Sequence, residues 1–243
     1  MPSDTERKTL PPQPNIIYIV CHDLGRELGC YGRPIATPNI DGFAQQGVVF
    51  TNCFCNSPAC SPSRCCAYTG MYAHNNGVMG LAHQGWSLPA EVRTIVDELN
   101  DGGYETVHIG FQHERPLGKN RYQTDLQKGT HAESFVENVT AQTLEFLNNR
   151  GNGTKPLYLN IGIVESHASL WLDQWEGNRK DTYGTTPPEE TYMPSYIPDT
   201  PALRREMGNF QACMRYLDRH VVQLFRGIEE AGFTDDTLVV FTT

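Results

Sequence analysis

The sequence predicts an α/β layered fold in which a largely parallel central sheet is sandwiched between helices. Apolar, β-branched runs at 15–20, 104–110, 157–163 and 237–241 alternate with segments of helical periodicity. Residues 16–20 in particular are apolar at successive positions, which suits a strand covered on both faces. Polar residues able to do chemistry follow three of the runs at once, as His22-Asp23, His113-Glu114 and Glu165-Ser166-His167, where open α/β sheets place their ligands.

Taken in order, residues 1–13 are polar and proline-rich and read as a disordered leader. Asn15 to Val20 is expected to be the central strand. Thr37-Pro38-Asn39-Ile40-Asp41 supplies an N-cap and a proline at the first helical position, and Gly47 ends that helix. Val48 to Phe54 reads as a second strand, followed by a turn at Cys60 and a helix from Arg64 to Met71. Glycines and polar residues between His74 and Leu88 suggest an ordered loop. Val92, Ile95, Val96 and Leu99 have amphipathic spacing, with Gly102-Gly103 as the stop. The strand 104–110, a helix over 133–149 and the strand 157–163 come next, with right-handed crossovers expected. Residues 168–200 lack periodicity and form a long excursion. A long helix over 201–231 leads into a last strand from Thr237. No internal repeat or second-domain boundary is visible.

A chain of 243 residues, 39% of them apolar, can bury a real core. Its net charge of −9 excludes broad nucleic-acid or membrane-surface binding. No stretch approaches the roughly 20 apolar residues of a membrane span, and the N-terminus lacks the pattern of an export signal, so a cytoplasmic location is expected. Of eight cysteines, Cys53, Cys55, Cys60, Cys65 and Cys66 crowd into one short region. That spacing suits small thiols in a reducing compartment better than a disulfide framework, and it lacks the paired knuckles of a zinc cluster.

The stretch that organises the chain is Cys60-Ser61-Pro62-Ser63-Arg64. It places a nucleophile-sized side chain at a helix start, where anionic chemistry is favoured. Unmodified, Cys60 would be a candidate thiolate nucleophile. C-x-P-S-R resembles the signature of the sulfatases, members of the alkaline phosphatase superfamily. Pro14 to Asp23, Ala36 to Asp41 and Gly47 to Asn52 resemble the family's first strand and metal site, its T-P-N-[IL]-D helix and its second strand. Asn76-Gly77-Val78-Met79-Gly80-Leu81 is similar to heparan N-sulfatase-like members.

The resemblance implies an alkaline phosphatase-like fold, with residues 14–243 as the N-terminal part of a catalytic domain. It implies hydrolysis of a sulfate ester or sulfamate on a carbohydrate or other small molecule. It further implies that a formylglycine-generating enzyme oxidises Cys60 to formylglycine, whose hydrated aldehyde carries one hydroxyl to attack sulfur and one to expel sulfate. Arg64 matches the arginine that holds this side chain, His113 the histidine that contacts it, and His167 the histidine that contacts the ester and protonates the leaving group. Asp23 matches a ligand of a divalent cation, usually Ca2+, that also contacts the Cys60 position. His22 stands where the family has another aspartate, and as a ligand it would favour Mn2+ or Zn2+; as a neighbour of the ligands it would not. Phe111 stands where the family has a lysine, and Arg115 is a candidate replacement for that charge.

Duller readings accompany each residue: a buried thiol for Cys60, a helix cap for Asp23, a surface cation for Arg64, and a core histidine for His167. His74, Asn76 and His83 are candidate substrate contacts, with a polar loop as the alternative. Trp171 and Trp175 read as packing residues. A phosphodiesterase or phosphonate monoester hydrolase on the same fold, and a non-catalytic binding protein, are the rival functions. The expected chain is an incomplete catalytic unit, because the family's later metal ligands and a further lysine have no match within it.

Overall fold

The computed structural model describes residues 13–116, 120–127, 131–151, 153–173 and 178–243. All but the last residue of the expected leader, and Trp175, lie outside the described residues. Strand β1 is Asn15–Cys21. Helix α1, Pro38–Gln45, follows Thr37, whose hydroxyl donates to Asp41 Oδ1 at 3.0 Å. Helix α2 is Cys60–Thr69, and α3 is the single turn Ala73–Asn76. Helix α4, Ile95–Asp101, leads into β2, Glu105–Gly110. A two-residue strand β3, Thr124–Asp125, precedes α5, Val136–Arg150, and β4, Leu157–Ile163. Among its described residues, the excursion that follows holds a 3-10 turn at Ala168–Leu170 and the short helix α6, Lys180–Tyr183. Helix α7, Pro201–Glu230, and strand β5, Thr237–Thr242, complete the order.

The sheet runs β3-β2-β4-β1-β5, and every pairing is parallel. The pleat sorts side chains to two sides. Ile17, Ile19, Val107, Ile109, Leu159 and Ile161 point into the larger core, shared with Val139 and Leu147 of α5 and with Met214, Leu217 and Val221 of α7. The opposite side carries Tyr18 and Tyr158 against Val96 and Leu99 of α4. Asn160, buried there, donates to the hydroxyls of Tyr68 at 2.8 Å and Tyr122 at 2.5 Å. Helices on both faces give the predicted layered fold. No helix among the described residues is long and apolar enough to cross a membrane.

Two expectations are corrected. The middle strand is β4, buried at all seven positions, while β1 lies between it and β5. Residues 48–54 form no strand. Val48, Phe50 and Phe54 are 81%, 71% and 81% exposed, beside an open cleft bordered by Val240 and Phe241. An apolar run marks a capacity to pair, and this segment makes no ladder with any strand of the sheet.

Where β2 and β4 end, Gly110 pairs with Gly162 and the backbones cross closely. A Cβ on Gly162 would lie 1.9 Å from the carbonyl oxygen of Phe111. That neighbour is backbone, so the strands would have to separate. Gly162→Ala is expected to cost about 3 kcal/mol of stability in denaturant unfolding, and a loss under about 0.5 kcal/mol would show that the crossing relaxes.

Candidate active site

Because the strands are parallel, the loops after β1, β2 and β4 emerge on one edge of the sheet. His22 and Asp23 leave β1, Phe111 to His113 leave β2, and Glu165 to His167 leave β4. The start of α2 brings Cys60 to the same place, and Arg64, one turn along that helix, shares its face.

Backbone bonds lock these loops together. The N–H of His22 donates to the carbonyls of Ile163 and Glu165, both at 3.0 Å, and Ser166 N–H donates to the His22 carbonyl at 2.6 Å. Phe111 N–H donates to Gly162 O at 2.8 Å. Asp23 has φ +53°, a left-handed conformation that aspartate tolerates better than most residues and that persists only where the surroundings enforce it.

His22 is 3% exposed. Its Nδ1 lies 2.8 Å from Asp23 Oδ1, so the neutral ring donates there and carries its lone pair on Nε2. That atom is buried without a hydrogen-bond partner among the described residues. Burial pushes the imidazole down to about 4, which keeps it neutral at ordinary pH. Burial alone would raise the Asp23 carboxyl, but the His22 hydrogen bond, with His167 and Arg64 nearby, holds it below the usual carboxylate range.

Donor atoms of His22, Cys60 and His113 lie within 4.8 Å of one another, as do those of His22, Asp23 and His167. His22 is therefore the residue common to both groups. The rings of His22 and His167 meet edge to face at 4.7 Å. The Nδ1 of His167 accepts the Ser169 N–H at 3.3 Å and sits 2.7 Å from Ser169 Oγ, an arrangement that puts the proton of the neutral ring on Nε2. These donors fit a divalent cation: a buried nitrogen without a partner, with a carboxylate and further imidazoles within reach. They fit calcium less well, since Asp23 is the one carboxylate among them.

Cys60 is half-buried, and its thiol is pushed up, first by desolvation and then by the Asp23 charge, against the pull of its own backbone N–H and Arg64. The helix start therefore does not yield an activated thiolate. Arg64 is buried, donates to Phe111 O at 3.4 Å and lies 5.2 Å from the centre of the Phe111 ring. Phe111, buried between Arg64, His22 and His113, forms an apolar wall of the site.

The remaining polar residues take different places. Arg115 is buried away from this cluster, donating to Leu88 O at 2.9 Å beside Arg121 and Tyr122, so it does not replace the missing lysine. Asn76 is fully buried and braces its own loop, accepting from Val78 N at 2.9 Å and donating to Thr69 Oγ1 at 3.4 Å. His74 is exposed and stacks on Tyr72. His83, by contrast, brings Nδ1 to 3.0 Å from His113 Nε2, with parallel rings. Glu165 turns inward, where burial pushes it up to about 7, and accepts from Val136 N at 3.0 Å, Tyr183 OH at 3.1 Å and Arg179 at 3.3 Å. Arg179 and Tyr183 thus anchor the excursion beneath the site, a role no motif signals. Ser61 is likewise structural, accepting Ala82 N–H at 2.9 Å to hold the His83 loop against α2.

The Sulfatase family pattern matches residues 14–243. The chain belongs to the sulfatase family. It is 28% identical over 255 residues to the human (Homo sapiens) N-sulphoglucosamine sulphohydrolase, covering 94% of this chain and 50% of that protein. A Bacteroides fragilis structure assigned as a sulfatase superposes with a TM-score of 0.78 at 22% identity, over 98% of this chain and 63% of that one. The phosphonate monoester hydrolase of Agrobacterium radiobacter shares the fold too, with a TM-score of 0.72 at 17% identity over 94% of this chain and 62% of that one. The sulfatase chain thus spans about half the length of the curated relative and under two thirds of these solved chains. Its layered sheet is the fold of its structural neighbours.

Proposed function

We propose that the protein hydrolyses a sulfate ester or sulfamate on a carbohydrate, using a formylglycine made from Cys60 by a formylglycine-generating enzyme. The observation that carries this reading is the meeting of Cys60 and Arg64 of α2 with His22, Asp23, His113 and His167 at one edge of the sheet. The hydrated aldehyde would supply the oxygen nucleophile that the raised thiol of Cys60 does not. A divalent cation held by Asp23 and His22 would supply charge neutralisation at the reacting oxygens.

The chain's own residues do the rest. Arg64 fixes a positive charge one helical turn from Cys60, and the apolar wall of Phe111 strengthens its field. His113, held by His83, orients the Cys60 side chain. His167 carries its proton on Nε2 and donates it to the departing oxygen or nitrogen. The similarity to a human protein named for N-sulphoglucosamine supports a sulfated sugar as substrate.

The apolar Phe111 in place of a cation is equally compatible with a second reading, hydrolysis of phosphate diesters or phosphonate monoesters, because these anions carry the same single charge as a sulfate ester. Turnover of aryl sulfates and aryl phosphate or phosphonate esters, measured side by side, separates the two. Faster turnover of the sulfate is expected, and preference for phosphonate would overturn the first reading.

A further inference from the structure

We infer that the cation of this site is bound directly by imidazole, with His22 Nε2 as a ligand, and is a borderline ion such as Mn2+ or Zn2+ rather than Ca2+. This rests on the sulfatase reading only in taking a divalent cation to serve the site. The His22 ring cannot turn its nitrogen elsewhere. Its backbone is pinned on both sides by the end of β4, through bonds of 3.0 Å to Ile163 O and Glu165 O and 2.6 Å from Ser166 N. Its flanks are packed by Phe111 at 5.0 Å and His167 at 4.7 Å.

Asp23 fixes the tautomer. By accepting the Nδ1–H at 2.8 Å, it leaves the ring's lone pair on Nε2, on the far side of the imidazole from the carboxylate. A carboxylate behind an imidazole is the arrangement that orients metal-bound histidines and raises their basicity. The lone pair of Nε2 is then buried without a donor among the described residues, at a cost that an ordinary core histidine avoids. His22 is also the one residue shared by both donor groups, with donor atoms within 4.8 Å in each. Ligands on one ion at about 2.0–2.2 Å stand at most about 4.4 Å apart, so side-chain adjustment brings Cys60 and His113 onto a common centre with His22. An imidazole ligand selects borderline ions, whereas calcium calls for six to eight oxygens.

The test is metal titration of the purified, metal-stripped protein with Mn2+, Zn2+ and Ca2+, together with pulsed electron paramagnetic resonance of the Mn2+-loaded sample. Mn2+ or Zn2+ is expected to bind at least about tenfold more tightly than Ca2+, about 1.4 kcal/mol, and bound Mn2+ is expected to show nitrogen hyperfine coupling. His22→Asp is expected to retain metal, lose the coupling assigned to it and shift preference toward Ca2+. If that variant does not fold, the double variant His113→Gln with His167→Gln decides: coupling retained there supports His22, and coupling lost overturns it. Ca2+ binding as tightly as Mn2+ in the unaltered protein, Mn2+ without nitrogen coupling, or no divalent binding would each overturn the inference. Aryl sulfate turnover on the same samples keeps the outcomes apart. Calcium-supported turnover removes the imidazole ligand and leaves the sulfatase reading, while nitrogen-bound Mn2+ without turnover does the reverse.

Discussion

Cys60→Ala is expected to abolish sulfate ester hydrolysis, a loss of about 10^4-fold or more, while the protein stays folded. Cys60 opens α2 with its side chain half-buried, so truncation leaves a small space at the helix start and removes little packed surface. The rest of α2 is held independently, through Cys65 in a cluster with Val78 and Leu88 and through Ser61 bound to Ala82. The loss should therefore fall on turnover, with a thermal midpoint close to that of the unaltered protein. Residual activity above about 1% of the starting rate, in a folded Cys60→Ala sample, would mean that another group delivers the nucleophile.

His167→Ala is expected to slow hydrolysis by about a hundred- to ten-thousand-fold, and the loss should depend on the leaving group. Ser169 N–H bonds to Nδ1, which places the transferable proton on Nε2. An aryl sulfate with an acidic phenol leaves without help, so its hydrolysis should fall least. A sugar sulfate, whose alkoxide is a poor leaving group, should fall most. Equal losses across a series of aryl and alkyl sulfates would assign His167 to binding instead of proton transfer.

Most of the sheet and its helices were legible because their signals are local. The 30-residue α7 announces itself by its cap, its proline and its periodicity, and β1, β2, β4 and β5 by their apolar runs. Residues 48–54 failed because an apolar run carries no information about whether a neighbouring strand exists. β1 was misplaced at the centre because strand order is set by crossover packing, which a single strand does not encode.

At the site, the residues that follow strands were found, since parallel topology forces them to one edge. What escaped was side-chain direction. Glu165 is adjacent to Ser166 yet turns into the core to meet Arg179 and Tyr183. Arg115 stands two residues after His113 yet reaches Leu88. The pairing of His83 with His113 joins loops 30 residues apart, which no motif spacing foretells. Asn76 looked like a polar contact, but its amide closes a loop instead.

The chemistry proposed for Cys60 is tested most directly by mass spectrometry of the peptide that contains it, from protein made in its native host. The proposal predicts that the peptide has exchanged the thiol sulfur and two hydrogens for a carbonyl oxygen, in a fraction that tracks sulfate ester turnover across preparations. A preparation that turns over sulfate esters while this peptide remains entirely cysteine would contradict it.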